Sequence, residues 1–401
     1  MTAASPVVDP AALPRTVLDR VRSGNLGSWP VVIALAIVVV VFSQTAQNFF
    51  TPANFTNIIT QMAGTCLLAY GVVFVLLIGE IDLSVSFVSG VAGVVVAELQ
   101  LPGSGHAYPG LVAIALAILT GAMIGLLQGS VVALVGVPSF VVTLAGLLAW
   151  QGVILKAIGS QGVIGIQDKQ INDVANYVLP KNWGWAIAGV FAGGLALTAF
   201  GSYIARRRAG LATANPLLTA SRVVFWGGLA FVGVAVCNHS SGVPFAGLLV
   251  LVLIVVGSYV ATRTTFGRHV YAVGGNAEAA RRAGINVKRI RILVFMISGS
   301  MAAVGGVIFA SRLNSVDLSA GGGTILLDAI SAAVIGGTSL FGGRGFVKSA
   351  LFGGLIIAMI GNGIDLVGYT DAVKDITTGV ILLAAVTLDT VLRRRQATAG
   401  R

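Results

Sequence analysis

An all-α polytopic membrane protein of about twelve hydrophobic helices, within a range of ten to fourteen and with both termini cytoplasmic, is what the 401-residue sequence predicts. Three observations carry that prediction. Hydrophobic residues make up 56% of the chain and charged residues only 10%, whereas soluble domains carry about 25% charge. Mean hydropathy is +0.94. Uninterrupted apolar runs recur at the length of about 20 residues that a helix needs to cross about 30 Å of hydrocarbon.

Residues 1–28 are polar and contain Pro6, Pro10 and Pro14, so they predict a disordered cytoplasmic tail with no cleavable signal. A transmembrane permease-like body follows over 29–391, and a basic cytoplasmic tail over 392–401. Within the body, apolar runs fall at about 29–50, 56–78, 83–99, 109–135, 138–158 and 183–205. Six more fall at about 222–238, 243–261, 290–311, 325–341, 346–366 and 372–391. Glycine, proline and carboxylates interrupt several of them, which predicts that some helices are broken or re-entrant. The 53 glycines suit lipid, where small residues let backbones approach, and Gly121, Gly125 and Gly129 at four-residue spacing predict close packing inside one bundle.

Lys and Arg set the orientation, because they accumulate in cytoplasmic loops. With the N-terminus inside, twenty of the 25 basic residues fall on the inner side and only Lys156, Lys169, Lys181, Arg312 and Lys374 on the outer. The net charge of +11 is therefore read as topology, with the lipid bilayer as partner and no nucleic acid. The densest inner stretch, the loop 262–289, is the only one large enough to fold and engage another protein.

In GEIDLSVS, residues 79–86, Glu80 and Asp82 stand beside Ser84 and Ser86 at the edge of an apolar run. Carboxylates at membrane depth mark a pathway, while at a helix end they serve as caps, and both readings stand here. The polar stretch 311–330 carries Asn314 and Asp317, read as solvated loop, and Asp328, which lies inside the next apolar run. Energetics then group Asp82, Ser84, Asp328 and Asn362 along a translocation path, since lipid-facing carboxylates cost about 2.5–3.5 kcal/mol and should face protein or water. In the inner loop, Gly275 precedes Asn276, a good N-cap, and the helix formers from Ala277 end at Gly284. The charge alone would also allow a basic patch lying on anionic lipid, but the capped and terminated helix favours docking, so a helix over 276–285 is expected to seat in a partner's groove, with Glu278, Arg281 and Arg282 around Ala277 and Ile285.

GGTSLFGGRGFVKSA, residues 336–350, has Lys348 and Ser349 after several glycines, yet Val347 stands where a phosphate loop needs glycine. No nucleotide site, cofactor, metal site or catalytic constellation follows, so the chain is not expected to be an enzyme. Cys66 and Cys237 read as packing residues, and His106, His239 and His269 are scattered. IDLSVSFVSG (81–90) faintly echoes LDAISAAVIG (327–336), and GSVVALVGVPSFV (129–141) echoes GNGIDLVGYTDAV (361–373), as in transporters built from repeated halves.

Together, GEIDLSVSFVSGVAG, YAVGGNAEAARRAGINV and LDAISAAVIGGTSLFGGRG resemble the permease subunits of the ribose, galactose and xylose class of bacterial ABC importers, over about 56–158 and 240–392. The extra segment at 160–240 is similar to the longer, xylose-type permeases. Glu80 stands where many relatives have a second glycine, and Leu318 where proline is usual. The resemblance implies a homodimeric inner-membrane permease importing a monosaccharide, xylose or a related pentose. It also implies a cytosolic ATPase on the coupling loop and an extracytoplasmic sugar-binding protein. The rival is a stand-alone proton-coupled carrier of a small polar solute, which would need a titratable relay inside the bundle.

Overall fold

The computed structural model describes residues 29–101, 107–211 and 215–399; the tail 1–28 with Arg15, Arg20 and Arg22, and also His106 and Arg401, lie outside the described residues. The chain is helical almost throughout, and each of the twelve apolar runs forms a helix. The first half contains α1 (Trp29–Thr45), α2 (Pro52–Leu77), α3 (Val85–Leu99), α4 (Gly110–Ser130) and α5 (Ser139–Ile158). A middle section contains β1 (Val163–Gly165), α6 (Lys169–Asn176), β2 (Val178–Leu179), α7 (Lys181–Arg208), α8 (Pro216–His239), β3 (Val243–Pro244) and α9 (Phe245–Arg263). After α10 (Thr265–Gly275) and α11 (Ala277–Arg282) come α12 (Val287–Leu313), β4 (Ser315–Asp317), α13 (Ile325–Ile335), α14 (Ser349–Val367) and α15 (Asp371–Ala399).

Eight of these helices are long and apolar enough to cross a bilayer, and three shorter apolar ones accompany them. α3 and α13 have 15 and 11 residues. At about 1.5 Å per residue they fall short of the hydrocarbon thickness, so they are the interrupted elements that the glycines and carboxylates predict. The apolar run 325–341 does not continue as helix, because the chain breaks at Gly337, whose φ of +100° only glycine adopts easily. Conversely, the basic tail expected from residue 392 continues α15 as far as Ala399.

The core is built from two quartets, α2–α5 and α12–α15. α2 packs on α14 as α12 packs on α4, α2 on α13 as α12 on α3, and α5 on α3 as α15 on α13. The echoed glycines occupy equal places: Gly136 after α4 and Gly368 after α14 are both left-handed, with φ of +87° and +83°. The faint sequence echo is thus a structural repeat. At the α4–α12 contact, a Cβ on Gly121 or Gly125 would overlap the backbone carbonyls of Gly299 or Phe295. The four-residue glycine spacing therefore serves packing within the bundle.

Lys169, Lys181 and Arg312 share one end of the molecule. There β1 pairs with β4, β2 pairs with β3, and α6 lies across the bundle end with Ile171 and Ala175 buried. At the opposite end, Leu77, Gly274 and Gly343 meet, gathering the turn after α2, the basic loop and the segment after α13. α7 and α8 stand to one side: α7 packs mainly on α8, and α8 also packs on α2.

Candidate functional site

The four residues expected along one path divide into two sites. The first lies where the chain crosses from α2 to α3, outside either helix. In lipid such backbone needs protein partners, and α5 supplies them: Ile81 N donates to Ser139 Oγ at 3.2 Å and Thr143 Oγ1 donates to Ile81 O at 3.3 Å. Asp82 is buried and accepts from Ser84 N (3.0 Å), Ser84 Oγ (2.7 Å) and, across the bundle, Ser298 Oγ of α12 (2.8 Å). Ser84 Oγ also lies 2.9 Å from the Gln128 side-chain oxygen. A hydroxyl has one proton, so the network closes when Ser84 donates to Asp82 and the Gln128 amide turns its N–H to Ser84, which also gives a partner to the otherwise unpaired Gln128 nitrogen. Asp82 and Ser84 thus tie α3, α4 and α12 together.

The second site is a cavity of about 200 Å³ between α2, α12, α13, α14 and α15, and it contains both Asp328 and Asn362. Asp328 accepts from Thr324 Oγ1 at 2.8 Å, and Thr378 of α15 also reaches it. Asn362 exchanges two hydrogen bonds with Asn54, 2.8 and 2.9 Å long, which fix both amides. Gln61, Thr65, Arg312, Asp365 and Lys374 complete the polar wall. Sequence reasoning missed these residues. The available signal was Gln61 and Thr65, polar groups four apart on one face of an apolar helix. Donors and acceptors spread around so small a volume can hydrogen-bond a small polyhydroxylated solute from several sides, and the volume lies below the roughly 300–1,000 Å³ of drug-sized sites. Asn314 and Asp317 line neither site: Asn314 is the left-handed cap of α12, and Asp317 accepts from Ser319 N and Oγ.

The inner loop folds as two helices rather than one. Asn276 caps α11, its Oδ1 accepting from Ala279 N at 2.9 Å, and Gly284 ends it with φ of +84° as Ile285 N donates back to Ala280 O. The helix expected over 276–285 is therefore shorter, Ala277–Arg282. Gly275, Asn276, Glu278, Arg281, Arg282 and Gly284 are exposed, and Glu278 pairs with both arginines at 3.2 Å. Ala277 and Ile285 differ from expectation: they pack on the protein's own core, so the free face consists of the charged residues with Ala279 and Ala283.

The base of this loop is fixed to the two other motifs. Gly274 lies so close to Leu77 O and Gly343 N that no side chain fits there. Gly343 N donates to Leu77 O at 2.9 Å, and Tyr271 donates its hydroxyl to Gly345 O at 2.8 Å. Burial pushes the Tyr271 phenol up from its ordinary pKa, so it stays a neutral donor. Arg291, at the start of α12, pairs with Glu80 at 2.9 Å. The three sequence motifs therefore converge at one junction.

Comparison with known proteins agrees with this arrangement. The family model described as "Branched-chain amino acid transport system / permease component" matches residues 54–386. The chain is 37% identical over 380 residues to the xylose transport system permease protein XylH of Escherichia coli K12, covering 93% of this chain and 94% of that one. It is 35% identical over 382 residues to XylH of Haemophilus influenzae, covering 94% and 99%. With the ribose import permease protein RbsC of Escherichia coli K12 it shares 31% identity over 357 residues, 89% of this chain and 92% of the relative. No solved structure matches the chain.

Proposed function

We infer from the chain's membership of the branched-chain amino acid transport system / permease component family that it is the membrane permease of a sugar ABC importer and moves xylose or a related pentose across the inner membrane. The similarity to the xylose permeases over more than nine-tenths of the chain carries the choice of sugar. Energy comes from ATP hydrolysed by a separate cytosolic subunit, and an extracytoplasmic binding protein captures the sugar. The permease acts as a homodimer with all twelve apolar helices embedded and both termini cytoplasmic. This reading is supported by the grouping of Lys169, Lys181 and Arg312 at one end and the arginine-rich loop at the other.

The two candidate sites take separate roles. The cavity around Asp328 and Asn362 gives the sugar transient hydrogen bonds on its way through, weak enough to let it leave. Asp82 and Ser84 hold the broken α2–α3 segment that moves with the path. α11 docks the ATPase, and the junction at Gly274 passes its movement to that segment. The test is uptake of labelled xylose by proteoliposomes containing the permease, its ATPase and its binding protein. ATP-dependent uptake, competed by xylose more strongly than by ribose, is expected. Uptake that persists without the ATPase and collapses with a protonophore would instead establish the proton-coupled carrier.

A further inference from the structure

We propose that the groove between α7 and α8 is a binding site for an anionic phospholipid, with an acyl chain between the helices and the headgroup on the arginines at their basic end. The groove encloses about 420 Å³ and is walled by Ala199, Phe200 and Tyr203 of α7 and by Pro216, Ala220 and Val223 of α8. The small side chains of Ala199 and Ala220 leave the space between the two helices unfilled along this stretch, whereas the helices pack closely where Gly227 meets Ala192. A slot of this kind in hydrocarbon has to be filled, because lining atoms without neighbours forgo dispersion contacts.

The charge at one end selects the occupant. Arg206, Arg207 and Arg208 follow Tyr203 within about two helical turns, and Arg222 sits among the groove residues of α8. All four are exposed, and among the described residues none of them forms an ion pair. The sequence contains no Asp or Glu anywhere between Asp173 and Glu278, so the cluster has no carboxylate nearby in the chain. An apolar slot opening under uncompensated guanidinium groups complements a diacyl lipid with a phosphate headgroup, and basic pockets between membrane helices hold such headgroups. Free phosphate would satisfy the arginines and leave the slot empty. A second copy of this chain would bring the same positive cluster against itself.

The full-length protein, purified in mild detergent with equal phosphatidylglycerol and phosphatidylcholine, is examined by native mass spectrometry. Wild type should retain phosphatidylglycerol preferentially. The triple variant R206Q/R207Q/R208Q should lose that preference, by about fivefold per arginine on the scale of surface charge–lipid attraction. Ala199→Trp, which fills the slot and keeps every charge, should lose bound lipid as well, and size-exclusion profiles confirm that both variants remain folded. Equal retention of the two lipids by wild type would overturn the proposal. So would retention unchanged in Ala199→Trp, which would reduce the site to diffuse charge. Loss of self-association in Ala199→Trp without any change in bound lipid would assign the groove to a second copy instead.

Discussion

At the scale of single residues, the buried Asp82 and the half-buried Asp328 respond to different surroundings, and one substitution in each separates them. Asp82 accepts from Ser84 N, Ser84 Oγ and Ser298 Oγ and is not part of the lining of the cavity that holds Asp328. Asp82→Asn turns an acceptor into a donor against those groups and should lower stability by about 1–3 kcal/mol, seen as a lower melting temperature in detergent. Asp328 lines the cavity, so Asp328→Asn should leave the melting temperature nearly unchanged while reducing xylose uptake severalfold. Equal thermal loss in the two variants would show that both are structural. The ion pair of Glu80 and Arg291, whose side chains are 14% and 31% exposed, makes a second case. Removing either partner should destabilise by about 1.5–3 kcal/mol, the range for hydrogen bonds to charged groups, and the reversed pair Glu80→Arg with Arg291→Glu should recover most of it in a double-mutant cycle. Asp82, Ser84, Asp328 and Asn362 were legible in the sequence because polar groups in apolar runs stand out. Arg312, Lys374 and Thr378 were not, since their helices meet only in three dimensions.

At the scale of elements, helix positions followed from hydropathy, while helix ends depended on local chemistry that hydropathy does not carry. Beyond Ile335 the run continues as Gly-Gly-Thr-Ser before Leu340 and Phe341, and the backbone freedom of Gly337 ends the helix there. The amphipathic α6 escaped notice because eight residues with two buried apolar side chains make a weak period. α11, by contrast, was legible from Asn276 and Gly284, although the burial of Ala277 and Ile285 was not. That burial changes how docking is tested. Proline at Ala280 would disturb a buried position as well as the helix, whereas Ala279 is exposed. Ala279→Glu places a carboxylate in the first turn, where the helix dipole favours it, so α11 persists while its free face gains bulk and charge. Co-purification of the ATPase should fall by about tenfold, equivalent to 1.4 kcal/mol, with the permease yield unchanged. Full co-purification would place the ATPase contact elsewhere.

At the scale of the whole molecule, the exchangeable contacts of the two quartets explain why polar sites lie near both ends. Each short helix starts at a break in the chain that carries a carboxylate, Asp82 before α3 and Asp328 in the first turn of α13. The two breaks lie at opposite ends, one held closed by Ser84, Ser298 and Arg291 and the other open as a cavity. The function proposed above requires such a repeat to alternate between two related arrangements, in which the closed end opens and the open end closes, with the ATPase biasing the choice through the Gly274 junction. In the described conformation the cavity lies on the side of Arg312 and Lys374. Gln61→Cys places a thiol in that cavity, while the native Cys66 and Cys237 are both buried and give little background. A membrane-impermeant cationic thiol reagent added outside should label Gln61→Cys in the resting transporter. Trapping the ATPase with ADP and vanadate should slow labelling by about tenfold, the ratio that a 1.4 kcal/mol shift between two access states produces. Labelling at the same rate in both nucleotide states would mean that the cavity does not alternate, and the repeat would then be a packing scheme without a part in transport.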